Sequence, residues 1–264
     1  MLSVAALLLS AADATAGAEF VPTPFLPPLL TTANGSTVSS PWQWPARRAE
    51  VSALLQEHIL GTLPAGPAPP LTHTVVLNTT QIGGGSTSSL VELTFDVHAG
   101  GGEADTVSFR IEVLRPPSAS RSDAAGGQRG LPIFLTQWTH RQWALIGLNR
   151  GYMAVVYPGA DQGTDAAPLF QAAYPRASMA LILARAFVAS RTLDYVLTLP
   201  GVNTDMVSIT GHSRNGKQSL IAAAFDSRIT AVVGSSPGAP ISSPYRFSSQ
   251  NFYGEGPVTV SQTT

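Results

Sequence analysis

The sequence contains no cysteine and few charged residues, and both features narrow the range of possible functions. Without cysteine, disulfide bonds, thiolate catalysis and zinc–thiolate sites are excluded. Charged residues make up 12% of the chain and the net charge is −1, so no strong field attracts nucleic acid or an anionic membrane. The five histidines show no metal-ligand spacing. We therefore expect no metal site, no nucleic-acid partner and no membrane partner.

The N-terminal residues 1–18 have most features of a secretory signal peptide. An apolar run from Val4 to Ala12 is followed by small residues, although no Lys or Arg precedes it. The run is too short to span a bilayer. Two sequons, Asn34-Gly35-Ser36 and Asn78-Thr79-Thr80, agree with secretion from a eukaryotic cell. We expect a secreted, extracellular protein.

The composition and the hydrophobic pattern divide the rest of the chain into two regions. Hydrophobic residues form 44% of the 264 residues, enough to bury the core of one α/β domain. Residues 19–70 form a proline-rich extended leader, with a short helix from Arg47 to Leu60 whose apolar face includes Leu54 and His58. We assign residues 71–264 to a catalytic domain.

The pattern within this domain changes from strands alone to alternating strands and helices. The first strand candidates are 74–77, 90–97 and 107–114, and their glycine-rich links predict antiparallel pairing. Short apolar runs at 132–135 and 153–157 are typical of strands covered on both faces. A long helix over 178–199, a strand over 206–210, a helix over 218–225 and a strand over 229–234 follow. This order predicts a mostly parallel sheet with helices on both faces.

The heptapeptide Gly211-His212-Ser213-Arg214-Asn215-Gly216-Lys217 lies between the last predicted strand–helix pair. A strand, a glycine-bounded serine and a helix form the context of a nucleophile elbow, where a serine is exposed on a strained turn. The N–H of Arg214 then faces the site and can stabilise an oxyanion. The general pattern requires glycine at position 215, where this chain has Asn215 and places Gly216 one step later.

The heptapeptide resembles the signature of the glucuronoyl esterases, α/β-hydrolases that cleave esters between glucuronic acid on xylan and lignin alcohols. The resemblance covers roughly residues 40–245 and includes several further positions: Trp44, Arg47-Arg48-x-Glu50, Gly61-x-x-Pro64, Arg150-Gly151-Tyr152, Asp161, Asp165 and residues 193–196. It implies the three-layer sandwich of an α/β-hydrolase, with antiparallel N-terminal strands.

The resemblance also implies roles for individual residues. Ser213 would be the nucleophile, and Arg214 would stabilise the oxyanion through its backbone N–H and its guanidinium. Lys217 would contact sugar hydroxyls or the uronate. Alternatively, Arg214 and Lys217 are solvated charges in the first turn of a helix. Trp138 could stack on a sugar or pack in the core, and the backbone near Gln137 could supply the second oxyanion donor.

The acid and the base of a catalytic triad are not evident. The family's acid often follows the next strand, where this chain has Ser236, or comes from a later loop, where Glu255 is a candidate. Asp226 is expected at the opposite edge of the sheet. In α/β-hydrolases the histidine comes last, yet His212 is the last histidine here and is expected to pack beneath the turn. His140 would reverse the order if it acted as the base.

The missing histidine and the short segment after residue 234 suggest that the fold is incomplete at its C-terminus. We expect an N-terminal portion of a longer esterase or a truncated gene product. Losing the base of such a triad costs on the order of 10⁶ in kcat and leaves about 10³ over water, so this chain should be nearly inactive.

The sequence therefore predicts a cofactor-free serine carboxylesterase of the glucuronoyl esterase type, acting on a glucuronoxylan–lignin ester. An acetyl-xylan-type esterase is one alternative. A non-catalytic hydrolase-like domain that binds carbohydrate or a partner is another. Asp161 and Asp165 are expected to be turn residues at the edge of the sheet that carries the site, where a substrate-contacting or supporting role stays open.

Overall fold

The computed structural model describes residues 27–117, 130–161 and 163–238. The expected signal peptide (1–18) and Glu255 lie outside the described residues. In the described part, no helix is both long and apolar enough to cross a membrane.

A seven-stranded mixed sheet forms the centre of the fold. Its order is β1-β2-β3-β5-β4-β6-β7. The first three strands pair in antiparallel fashion, β3 is antiparallel to β5, and the last four strands are mutually parallel. The strands are β1 (Leu71–Gln81), β2 (Thr87–Asp96), β3 (Thr106–Arg115), β4 (Leu131–Gln137), β5 (Met153–Tyr157), β6 (Val202–His212) and β7 (Ala231–Ser235).

Helices cover both faces of the sheet, which confirms the predicted three-layer α/β-hydrolase architecture. One face packs on α2 through a small cluster that includes Ala144, Leu148 and Val156. The larger core lies on the other face, under α3, α4 and α5. The helices are α1 (Trp44–Leu55), α2 (Arg141–Asn149), α3 (Ala167–Ala173), α4 (Leu181–Val196) and α5 (Arg214–Phe225).

The strand patterns explain why these segments form this sheet. In the first part of β3, Val107, Phe109 and Ile111 are buried, as expected for a strand covered on one face. The residues that alternate with them, Thr106, Ser108 and Arg110, are exposed. All five residues of β5 are buried, because parallel strands between two helical layers have no solvent-facing side.

The predicted helical details were partly wrong. The helix expected over 47–60 is α1 followed by a π-helical turn, Gln56–Leu60, and its apolar stripe is only partly covered: Leu54 and His58 are exposed. Helix α5 begins at Arg214, four residues before the predicted start, so the elbow leads directly into it. Helices α2 and α3 were not predicted.

The sheet edge formed by the carboxyl ends of β4, β5, β6 and β7 is where the candidate site lies. Gln137, Tyr157, His212 and Ser235 end these four parallel strands. The loops that follow them therefore meet at one edge, as is usual for ligand sites in α/β folds.

Candidate active site

Ser213 lies between the last residue of β6 and the first residue of α5, in a strained conformation. Its φ is 55° and its ψ is −126°, a region that side-chain-bearing residues avoid at a cost of about 1–3 kcal/mol. Two backbone bonds hold the turn: Ser213 N donates to Ser235 O (2.9 Å), and Ser213 O accepts from Lys217 N (2.9 Å). The surrounding structure thus enforces the conformation that the elbow motif predicts.

Close backbone approaches explain the two glycines of the motif. A Cβ at Gly211 would lie 2.5 Å from the Asn215 backbone and from Gln137 Oε1. A Cβ at Gly216 would lie 2.9 Å from Gly211 O and 3.0 Å from Ser235 O. A Cβ atom at either position would therefore lie too close to these neighbouring atoms. The second glycine is therefore needed at 216, where α5 crosses the ends of β6 and β7.

Ser213 is half-exposed, and its hydroxyl makes no capping bond to α5. Arg214, the next residue, is exposed, and Lys217, in the first turn of α5, is half-exposed. Among the residues described, no histidine or carboxylate hydrogen-bonds to the Ser213 hydroxyl. In the described part of the chain, Ser213 is therefore partly open to solvent and has no base hydrogen-bonded to its hydroxyl.

We expect the strain at this position to be measurable as stability. Ser213→Gly should raise the free energy of unfolding by about 1 kcal/mol, because glycine adopts this conformation freely and only part of the gain is offset by chain entropy. Ser213→Ala keeps the strained backbone and serves as the control. Urea denaturation measures both variants, and equal stability of the two would argue against a strained elbow.

Asn215 replaces the usual glycine because its side chain ties the elbow to a neighbouring loop. It is 4% exposed. Its Oδ1 accepts from Ala160 N (2.7 Å), and its Nδ2 donates to Asp161 Oδ1 (3.4 Å). A glycine at this position would leave both loop groups without these partners, in a buried place where unmet polar groups cost about 1–3 kcal/mol.

Asp161 does more than shape a turn. It is 7% exposed, and its Oδ1 also accepts from the backbone N–H of Thr139 (3.3 Å) and from the Thr139 hydroxyl. Asp161 therefore joins the loop after β4, the loop after β5 and the elbow. These bonds tie the backbone around Trp138, where the second oxyanion donor is expected, to the elbow through Asp161 and Asn215.

Asp165 has a structural place in the same loop. Its Oδ2 accepts from Arg185 Nε (2.9 Å) and Nη2 (2.7 Å), and its Oδ1 accepts from Ala167 N (3.0 Å). These bonds connect the start of α3 to α4. Asp165 therefore has a supporting role in the loop after β5.

The Gln137 side chain lies beneath the elbow and is held there by hydrogen bonds. Its Nε2 donates to Tyr157 Oη (2.6 Å) and Ser219 Oγ (3.2 Å). Burial raises the pKa of Tyr157, so this hydroxyl stays protonated. The side chain thus supports the floor of the site, and only the backbone near Gln137 remains a candidate oxyanion donor.

His140 contacts the elbow but is not directed at the nucleophile. Its Nε2 accepts from the backbone N–H of His212 (3.2 Å), and its ring stacks on Trp143 with centroids 4.6 Å apart. The lone pair that a general base would use is therefore occupied. This geometry favours a supporting role for His140 over that of base.

The expectation that His212 packs beneath the turn was wrong, because its ring is exposed. Side chains alternate along a strand, and it is the neighbouring Gly211 that faces the buried side, where Gln137 and Asn215 fill the space. The His212 ring instead lies edge-on to His140, with centroids 6.1 Å apart.

The pKa of His140 gives a pH prediction. Desolvation by burial lowers it from the ordinary value of 6.5. A folded-state pKa below the unfolded-state value means that neutral His140 stabilises the fold above pH 6.5, and that this stabilisation is lost as pH falls through the folded pKa. Protonation also removes the acceptor for the His212 N–H.

We therefore expect the free energy of unfolding to fall as pH drops below about 6.5. Nearby Asp161 and His212 also affect the pKa of His140. The native chain is therefore compared with His140→Gln, which keeps a hydrogen-bond acceptor but does not titrate. Urea midpoints measured across this range should decline less in His140→Gln than in the native chain. Identical slopes would refute the assignment.

Trp138 is half-buried and contacts both the core and a cavity. It packs against the small core cluster with Phe134 and Leu145, as the alternative of core packing predicted. It also lines a cavity of about 400 Å³ together with Arg110 and Leu169. The lining also includes Pro158, from the loop after β5, and Trp138 itself follows β4, so a contact with substrate is compatible with the geometry.

Asp226 and Ser236 lie at the edges of the sheet where the sequence predicted them. Asp226 lies after α5 at the edge opposite Ser213, and Arg228 Nη2 bonds to its Oδ2 (2.6 Å). Burial alone would raise the pKa of Asp226, but hydrogen bonds from Arg228 and Ser190 outweigh it and lower that pKa. Ser236 follows β7 with a φ of 44°, at the edge that carries the elbow.

Comparison with known proteins finds glucuronoyl esterases among the similar sequences and structures. A family model described as "Glucuronyl esterase, fungi" matches residues 103–263. The "4-O-methyl-glucuronoyl methylesterase" of Cerrena unicolor is 28% identical over 223 residues, covering 81% of this chain and 42% of that protein. The protein of the same name from Hypocrea jecorina is 28% identical over 228 residues, covering 83% and 44%. The chain thus spans less than half the length of these two relatives.

Solved structures show the same fold. A "Glucuronoyl Esterase from Solibacter usitatus" superposes with a TM-score of 0.60 at 22% identity, covering 81% of this chain and 64% of that one. A glucuronoyl esterase from Caldicellulosiruptor kristjansonii gives a TM-score of 0.57 at 25% identity, covering 78% and 54%. These similarities support the α/β-hydrolase assignment of the sheet and its helices.

Proposed function

We propose, because the chain belongs to the fungal glucuronyl esterase family, that it is a carbohydrate esterase with Ser213 as its nucleophile. Its substrate would be the ester between a 4-O-methyl-glucuronate carboxyl on xylan and a lignin alcohol. The observation that carries the proposal is the backbone of Ser213, held at φ 55° between β6 and α5. No cofactor takes part in this reaction.

The proposed chemistry is acyl transfer in two steps. Ser213 Oγ attacks the ester carbonyl carbon, and the carbonyl oxygen becomes an oxyanion. The Arg214 N–H at the start of α5 stabilises this charge, aided by the helix dipole and by the exposed guanidinium. The alcohol then leaves with the serine proton, and water hydrolyses the acyl-Ser213 bond to release the acid.

Substrate contacts would come from residues around the elbow. Lys217 lies in the first turn of α5, where its backbone N–H donates to Ser213 O (2.9 Å). An ammonium there suits a sugar hydroxyl or a uronate oxygen. Trp138, which lines the cavity of about 400 Å³, would offer an apolar ring to the same substrate.

We assign the role of general base to no residue of this chain. All five histidines precede Ser213, and the two beside the elbow are His140, whose Nε2 is occupied, and His212, which is exposed. The acid is likewise unassigned, with Glu255 as the remaining candidate. We propose that these 264 residues hydrolyse esters only slowly by themselves.

Two further proposals concern the rest of the chain. Residues 1–18 would direct the protein out of the cell, where its polymeric substrate lies. Residues 19–70 would form a leader, and residues 71–264 the part of an α/β-hydrolase catalytic domain that carries the nucleophile.

The choice of substrate can be tested with two esters. The chain should release methanol from methyl 4-O-methyl-glucuronate faster than acetate from acetylated xylan when imidazole is supplied as an external base. Ser213→Ala should show neither activity above the buffer rate. Release of acetate alone would favour an acetyl-xylan-type esterase.

A non-catalytic carbohydrate-binding domain is the second candidate, favoured by the absence of a base bonded to Ser213 in the described residues. Such a domain would bind glucuronoxylan fragments equally well as the native chain and as Ser213→Ala. It would also show no imidazole-dependent hydrolysis. Calorimetric binding together with the ester assay separates the two functions.

A further inference from the structure

The outer edge of β1 is long and lacks charge. The strand runs for eleven residues, Leu71–Gln81, and pairs only with β2 among the described strands. It contains no Lys, Arg, Asp, Glu or Pro. Val76 and Leu77 on it are 55% and 41% exposed. Proteins normally protect such an edge with charge, proline, β-bulges or a covering element, because it can pair with another chain. Of these, β1 has two register irregularities, after Leu71 and after Val76, but no charge or proline.

The sequon Asn78-Thr79-Thr80 lies in the middle of this strand. Asn78 is exposed, pairs opposite Leu90, and follows a break in the register after Val76. Thr79 Oγ1 hydrogen-bonds to Ser89 Oγ (2.9 Å), whereas the Asn78 side chain has no partner in the described part of the chain. The amide nitrogen of Asn78 is therefore open to solvent and available to carry a substituent.

We propose that Asn78 carries an N-linked oligosaccharide that shields the edge of β1. In the transfer, Asn78 Nδ2 bonds to the anomeric carbon of a lipid-linked oligosaccharide diphosphate, the lipid diphosphate leaves, and the amide loses one proton. The glycan supplies at this edge the hydrated bulk that the missing charges would otherwise supply. This inference rests on the proposed secretion and not on the esterase chemistry.

The glycan would leave the candidate active site open. Strand β1 is five positions away from β6 in the sheet. At about 4.8 Å between neighbouring strands, this separates the edge from the elbow strand by roughly 24 Å. Glycosylation at Asn78 and the reactivity of Ser213 are therefore independent.

The other sequon provides a matched control. Asn34 lies in a turn closed by the bridge between Thr31 and Thr37, outside the sheet. Its Oδ1 accepts from Thr32 Oγ1 (2.6 Å) and from Ser36 N (3.0 Å). A glycan at Asn34 would not be attached to β1, so its removal should leave the edge strand as it was.

The first experiment locates the modification. The full chain is produced with its own N-terminus in a secreting fungal host and digested, and the peptides are treated with peptide N-glycosidase in heavy-oxygen water. The enzyme leaves a heavy aspartate wherever an asparagine carried a glycan. We expect that label at position 78, lost in Thr80→Ala and retained in Thr80→Ser. An unmodified Asn78 in the native chain would overturn the proposal.

The second experiment tests the shielding. Asn78→Gln and Thr80→Ala should show more aggregation by light scattering at high concentration than Asn34→Gln and Thr80→Ser. A discrete dimer of the unglycosylated variants would equally support an edge left unprotected. Equal behaviour of all four variants would overturn the shielding role. Imidazole-supported ester hydrolysis should be the same in each, which keeps this test separate from that of the esterase.

Discussion

Imidazole is expected to accelerate ester hydrolysis by this chain in proportion to its concentration. The 264 residues contain no histidine after Ser213, and His140 uses its Nε2 to accept the His212 N–H. An external imidazole that reaches the half-exposed Ser213 can take the proton of its hydroxyl. Without it, the rate should be on the order of 10⁶ below that of a complete triad.

Two controls define this result. Ser213→Ala should lose the acceleration beyond what imidazole gives in buffer, because no enzyme hydroxyl is left to activate. His140→Gln should keep it, since His140 is not the base. A rate without imidazole of about 1–10³ s⁻¹, the usual range of enzymes, would contradict the account and reveal a base within the chain.

Replacing Arg214 by alanine is expected to lower the imidazole-supported kcat by about 10²-fold, the usual effect of removing one oxyanion donor. The backbone N–H of residue 214 remains in the variant, so the loss isolates the guanidinium. The side chain is exposed, so the free energy of unfolding should change by less than about 0.5 kcal/mol.

The matched variant Arg214→Lys keeps the positive charge but not the planar donor group. It should retain an intermediate rate, since an ammonium can still face the oxyanion. Steady-state kinetics with methyl 4-O-methyl-glucuronate and urea denaturation measure both effects. An unchanged kcat in Arg214→Ala would mean that the side chain is a solvated charge, the alternative that the sequence left open.

The sequence predicted the sheet well because its signals were local. The continuous apolar run of β5 and the alternation of Val107, Phe109 and Ile111 in β3 each follow from the burial of that strand alone. The elbow was also predictable, since the strand before Ser213 and the helix after it are adjacent in sequence. These features do not depend on distant residues.

The errors arose where burial depends on distant parts of the chain. The apolar stripe that included Leu54 and His58 was predicted to be a helical face, but the structure covers it only in part. The predicted position of the His212 ring was wrong because the side chain of Gln137, from β4, fills the space beneath the elbow. Periodicity within one segment cannot report such contacts.

The role of Asn215 could not be derived from the motif. Its departure from glycine was visible, but its partners Ala160 and Asp161 are more than fifty residues away in sequence. A polar residue at a position that usually holds glycine was the only signal. An asparagine at that position could have predicted a buried hydrogen-bond donor and a buried acceptor close to its side chain.

The central claim is that Ser213 is an activated nucleophile on a strained elbow. Mass spectrometry after treatment with a fluorophosphonate in the presence of imidazole tests it most directly, with the exposed Ser36 as an internal reference. Phosphonylation of Ser213 should proceed at least about 10²-fold faster than that of Ser36, because the Arg214 N–H stabilises the charged intermediate. Labelling of Ser213 no faster than Ser36 would contradict the account.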